Sequence, residues 1–194
     1  MNERIGQYLD FIVEIDRLKA ILRQSRLFDG SRYENDAEHS WTISVMALLF
    51  RDFSDRPVDI SRVIYMLLIH DIVEVDAGDT FLYAENRGEA EEKERLAAQR
   101  IFGMLDAGMR DWFIALWEEF EARETAEARF AAVFDRLEPL YQNFVTQGYT
   151  WKKHGVKKAQ VVAMNSHLAD GSREIGEFVN YIIEESVRRG YLAE

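Results

Sequence analysis

Cysteine is absent from this 194-residue chain, which excludes disulfides and thiolate metal ligands together. Any bound metal must therefore be held by imidazole, carboxylate and water, a donor set that suits Mn, Co, Fe, Ni, Zn or Mg. Proline is nearly as scarce, with two residues, and glycine contributes 11. Few breakers interrupt long runs in which apolar residues recur every three or four positions, so an all-α fold is expected. No run approaches the roughly 18 uninterrupted apolar residues of a membrane span. The opening Met1-Asn2-Glu3-Arg4 leads into an amphipathic pattern rather than a signal-peptide core, so a cytoplasmic protein without a membrane partner is expected. Positive charge is in deficit, with 24 Lys and Arg against 35 Asp and Glu and a net charge of -11. That balance repels a polyphosphate backbone and argues against a nucleic acid polymer as partner. A small phosphate ester needs only a local cationic pocket, and Arg23, Arg26 and Arg32 supply candidates for it.

What is present fits one domain over residues 1–194, since 22.7 kDa with 47% hydrophobic residues can close a real core. Ile5, Leu9, Ile12, Val13, Ile15, Leu18, Ile21 and Leu22 mark a first amphipathic helix ending before the turn-prone Phe28-Asp29-Gly30-Ser31. Asn35 or Asp36 can cap a second helix through about residue 53, with Trp41, Val45, Leu48 and Leu49 as its buried side. Asp59 or Ser61 can cap a third through His70, and residues 75–80 break the periodicity as a loop. A charged helix follows over 89–105 with Leu96, Ile101, Phe102 and Leu105 inward, then further helices over 111–120 and 125–145. The pattern weakens over 146–171 and returns in a last helix over 172–189, and no segment reads as a strand.

Four residues carry the chemistry: His39, the adjacent pair His70-Asp71, and Asp135. Two imidazoles and two carboxylates around a divalent cation leave positions open for water, as catalysis requires. His70 and Asp71 point about 100° apart on a helix, so both reach one ion only near a helix end. Glu74 follows His70 by four residues on the same face, and Asp79 follows Gly78 beyond the loop; either can reach the reaction centre or orient a ligating imidazole through its second nitrogen. His154 and His167 have no carboxylate at matching spacing and are not counted as ligands.

The segments Glu34-Asn35-Asp36-Ala37-Glu38-His39-Ser40, His70-Asp71-Ile72-Val73-Glu74 running to Gly78-Asp79-Thr80, and Phe134-Asp135-Arg136-Leu137-Glu138 resemble the HD-domain phosphohydrolases. Within that superfamily they are most similar to the 5′-deoxynucleotidase group, which cleaves phosphate from nucleoside monophosphates. The resemblance spans about residues 5–145, and residues 146–194 carry no assigned motif. It implies an HD-type helical bundle with one divalent metal, a nucleoside 5′-monophosphate as substrate, proton-handling roles for Glu74 and Asp79, and a homodimer. The group places an Arg-Trp pair before the first histidine, whereas this chain reads Arg23-Gln24-Ser25-Arg26-Leu27-Phe28. Two alternatives keep the fold: another nucleotide hydrolase of the superfamily, or a noncatalytic regulatory module whose metal is structural.

Overall fold

The computed structural model describes residues 2–83 and 87–194, with 87–90 described by backbone only. Helix α1 (Glu3–Ile15) begins where the Asn2 side chain accepts from the Arg4 amide. It gives way to a 3-10 turn over Asp16–Ala20 and then to a hairpin of β1 (Leu22–Arg26) and β2 (Tyr33–Asn35). The expected first helix through residue 22 and the expected lack of strands are both corrected here. The strands pair antiparallel, Leu22 with Asn35 and Arg26 with Tyr33. Gly30 closes the turn at φ 70°, a left-handed conformation that glycine adopts without steric cost.

Helix α2 (Asp36–Leu49) starts in a capping box, the Asn35 side chain accepting from the Glu38 amide and the Glu38 carboxylate accepting from the Asn35 amide. Its end falls short of the expected residue 53, which lies in a separate 3-10 turn over Arg51–Phe53. Helix α3 (Ile60–Ile69), capped by Asp59, runs into a 3-10 turn over His70–Val73 and the short α4 (Glu74–Ala77). The loop expected over 75–80 therefore begins only at Gly78, whose φ of 77° ends the helical run. The rest of the chain folds as α5 (Arg87–Phe102), α6 (Ala107–Ala122), α7 (Ala126–Val145), α8 (Tyr149–His154), α9 (Lys158–Asn165) and α10 (Arg173–Arg188). Helical conformation continues through Pro139 of α7, so losing one backbone donor does not end that element.

Helices α2, α3 and α7 pack against one another in all three pairings and form the frame of the molecule. Ile43, Met66, Leu67, Phe130 and Phe134 are fully buried between them. In α2 the expected burial is reversed. Trp41 is 66% and Leu49 72% exposed, with Val45 and Leu48 also outward, while Asp36, His39, Ser40 and Ser44 face the core. Polar groups inside need partners, and α7 supplies them to His39 through Asp135 and Glu138, β1 supplies Arg23 to Asp36, and Ser44 donates to the Ser40 carbonyl within the helix. A smaller correction concerns α5, where Ile101 and Phe102, with Leu105 just beyond, are buried as expected but Leu96 is 52% exposed, with Ala97 and Ala98 buried in its place. Small residues let α5 lie close against α4 and the His70–Val73 turn.

The segment after residue 145 is anchored to this frame. Asn143 Oδ1 accepts from the amides of Thr150 at 3.1 Å and Trp151 at 3.3 Å, the Trp151 side chain is buried, and α10 packs on α7 and α9. Strand β1 lies against α7 and α8, a tertiary contact that favours extended backbone over the helix suggested by periodicity. Among the described residues, no helix is long and apolar enough to cross a membrane.

Candidate metal centre

The three frame helices each deliver one side chain to a common point. His39 comes from the first turn of α2, His70 from the end of α3 and Asp135 from the middle of α7. One donor atom from each lies within 4.8 Å of the other two. His39 Nε2 stands 3.2 Å from Asp135 Oδ1, and His70 Nε2 stands 3.7 Å from the same oxygen. Asp71 joins from the 3-10 turn, its Oδ1 lying 3.1 Å from His70 Nε2 while Oδ2 accepts from Arg23 Nη1 at 2.9 Å. His70 and Asp71 leave the chain where α3 passes into the 3-10 turn, and the Asp71 carboxylate stands outside the group formed by His39, His70 and Asp135.

These atoms fit a divalent cation. His70 Nδ1 lies 3.0 Å from the Leu67 carbonyl, an acceptor that places the ring proton on Nδ1 and turns the Nε2 lone pair toward Asp135. Nε2 is buried without a hydrogen-bond partner, the nearby Asp71 oxygen being off the hydrogen-bonding direction. A buried acceptor left open among carboxylates is the donor set a cation completes.

The electrostatics of the cluster follow from its crowding of acids. Burial and the Arg23 charge oppose protonation of His39, yet hydrogen bonds to Asp135 and Glu138 raise its pKa to about 10. Burial likewise opposes ionisation of Asp135, but Arg136 and the two imidazoles hold its carboxyl well below the ordinary value. His70 is raised by Asp71 and Asp135 against the effect of its burial. Metal binding requires neutral imidazole, so proton and cation compete for the same nitrogens.

The cluster opens on a cavity of about 430 Å³ whose lining includes His70, Asp71, Glu74, Asp79 and Asp135. Glu74 is nine-tenths buried, with Oε2 lacking a hydrogen-bond partner. Burial first, then Asp71 and Glu94, pushes its pKa up to about 10. Asp79 is raised by burial, with Arg23 pulling the other way. Arg23 lines the cavity too, and both of its hydrogen bonds, to Asp36 at 3.0 Å and to Asp71, come from Nη1.

Arg26 and Arg32 are not brought to the cavity. Arg26 donates to the Gly30 carbonyl at 2.7 Å and stacks over Tyr149, with 4.1 Å to the ring centroid. Arg32, in the hairpin turn, is exposed and paired with Glu38 of α2. Arg123 and Arg136 join Arg23 at the cavity wall, and Arg136, next to Asp135, has its Nε buried without a hydrogen-bond partner. Sequence reasoning missed it, although its place next to Asp135 in an amphipathic helix was the available signal. His154 and His167 lie apart from the centre, against Phe81 and Arg123 respectively.

Two further acids were passed over. Glu138 and Glu34 flank the other side of the His39 ring, at 3.2 and 3.7 Å from Nδ1. Glu138 follows Asp135 by three residues and so shares its helix face.

Comparison with known proteins agrees with this geometry. Residues 15–176 match the HD domain family, beyond the point where the recognised motifs stop. A crystal structure described as a predicted metal-dependent phosphohydrolase from Magnetospirillum magnetotacticum MS-1 superimposes with a TM-score of 0.95. It has 53% identity and covers 98% of this chain and 96% of that one. The 5′-deoxynucleotidases of Danio rerio and Homo sapiens are 32% and 30% identical over 137 residues, covering 69% of this chain. The match spans just under two thirds of those relatives, 66% and 65% of their lengths. With the family match running over most of its length and the histidines and aspartates gathered as described, the chain belongs to the HD-domain family.

Proposed function

We propose that this chain is a metal-dependent phosphohydrolase that releases phosphate from a nucleoside 5′-monophosphate. The observation that carries the proposal is the convergence of His39, His70 and Asp135 within 4.8 Å, with His70 and Asp135 lining a cavity sized for a small ligand. His39, His70, Asp71 and Asp135 are assigned as ligands of one divalent cation. When bound, such an ion supplies Lewis-acid stabilisation of phosphoryl charge and lowers the pKa of water. The 5′-deoxynucleotidase names of relatives support the substrate class.

The chain's own residues then do the remaining work. Arg23 and Arg136 offer donors to the phosphate oxygens, a role for which planar guanidinium is suited. For Arg23 the Nη2 group remains for this purpose, because the hydrogen bonds to Asp36 and Asp71 are made by Nη1. Glu74 and Asp79 carry protons between water and the leaving nucleoside oxygen, Glu74 from a buried position and Asp79 from beyond Gly78. Arg26 and Arg32 are left to the hairpin.

Two copies pair through the outer face of α2. Trp41, Val45 and Leu48 recur at helical spacing as an uncovered apolar stripe extended by Leu49, and a second copy presents the same stripe for a self-complementary contact. Trp41→Glu shifts the mass in analytical ultracentrifugation from dimer to monomer; a wild type that sediments as a monomer rejects the pairing.

The decisive assay loads the protein with Mn²⁺ or Co²⁺ and measures inorganic phosphate from a panel of ribo- and deoxyribonucleoside monophosphates. Release from at least one monophosphate, abolished by chelation, is expected. Metal-dependent thermal stabilisation without turnover on any of them would reject catalysis and leave a structural metal.

A further inference from the structure

Granted that His39 is a metal ligand, as proposed above, we infer that Glu138 is the positioning residue that fixes its ring, and that one helix thereby grips both nitrogens of this imidazole. Asp135 Oδ1 lies 3.2 Å from Nε2 and Glu138 Oε2 lies 3.2 Å from Nδ1. The two acids are three residues apart on α7, so a single helix face presents one carboxylate to each side of the ring. Glu138 accepts from Nδ1–H, which turns the Nε2 lone pair toward Asp135 and His70 and makes the imidazole a stronger donor.

Glu138 is itself held. Its other oxygen, Oε1, accepts from Gln142 Nε2, one turn further along the same helix. His39, Glu138 and Gln142 are buried to within 1% of complete, so this contact exchanges little with water and keeps one geometry. His70 reaches the same orientation by a different route, through the Leu67 carbonyl. The two ligating rings are therefore fixed by acceptors of different charge, a carboxylate behind His39 and a neutral carbonyl behind His70.

Glu34, His39 and Glu138 also come close enough to one another to hold a cation. The geometry favours the positioning role. None of the three lines the cavity, and a cation there would need the nitrogen opposite the one already facing Asp135. Neutral imidazole offers a single lone pair, so it serves one metal at a time.

Titration of the metal-free protein with Mn²⁺ and Co²⁺ tests this directly, with affinity, stoichiometry and the visible spectrum of the Co²⁺ form as readouts. Wild type should bind one ion per chain. Glu138→Gln keeps an acceptor oxygen but not its charge, and should weaken binding about 10-fold; Glu138→Leu should weaken it by about 100-fold. Both should shift the Co²⁺ absorption bands, a change that a merely structural role would not produce. Gln142→Leu, which leaves Glu138 in place, should weaken binding less than either. Two ions per chain in wild type, or wild-type affinity and spectrum in a folded Glu138→Gln variant, would overturn the positioning role. No binding by wild type would instead remove the metal-site proposal on which it rests.

Discussion

Helices α2 and α7 face each other across the metal centre and obey opposite burial rules. Helix α7 follows the ordinary pattern, with Phe130, Val133, Phe134, Leu137 and Leu140 buried alongside Asp135 and Glu138. Helix α2 buries Asp36, His39, Ser40 and Ser44, and turns Trp41, Val45, Leu48 and Leu49 outward. In α7 two acids are added to an apolar face that already secures the helix. In α2 the inner face is largely given over to polar groups, with Ile43 and Ala47 as its buried apolar contribution. The difference shows how a site inverts a local rule and relies on neighbouring elements for the stability it forgoes.

The sharpest way to break this pairing is to remove its shared acid. Asp135→Ala should abolish metal binding and phosphate release while circular dichroism still reports a helical protein; activity at equal metal loading would reject Asp135 as a ligand. Next comes the apolar part of α7. Phe134→Ala should cost about 3–5 kcal/mol in denaturant unfolding because a fully buried ring leaves a cavity. The corresponding change on the outer face of α2 sharpens the contrast. Leu48→Ala, measured at dilutions where the protein is monomeric, should alter stability by no more than about 0.5 kcal/mol. A large loss there would mean that α2 buries this face within its own chain.

The smallest effect lies on α10. Hydrogen bonds from Arg188 and then Arg189 draw the Glu185 carboxyl down to about 2 from its ordinary 4.5. A depressed folded-state pKa stabilises the fold above the ordinary value, and that contribution disappears as pH falls between the two. Comparing wild type with Glu185→Gln should therefore show a small deficit at neutral pH that closes in acid. The two arginines lie open to solvent, so the interaction is screened and added salt should shrink the deficit as well.

Much of the frame could be read in advance. Asp59, Thr125 and Ser172 cap the helices they were expected to start or precede, because a short polar side chain before an apolar repeat has a local reason to be there. His39, His70 and Asp135 were named as partners from their residue types and contexts, and their donor atoms do converge. The errors are of a different kind. Leu22 continues the apolar pattern of the first helix but lies in a strand, since the pairing with β2 and the contacts to α7 and α8 are nonlocal. Arg26 and Arg32 had the charge for phosphate, and the hairpin carried them away from the cavity. Arg136 and Glu138 had no separate motif, being read only as neighbours of Asp135.

The sequence by itself determined the donor chemistry, since a chain without cysteine offers imidazole and carboxylate, and it determined where most helices begin, since caps and periodicity act over a few residues. Only the tertiary structure decided which face of α2 is buried, which arginines reach the cavity and which acid stands behind His39. Those outcomes depend on three helices packing together, and the balance between burying a leucine and burying a partnered histidine is set by what the neighbours bring.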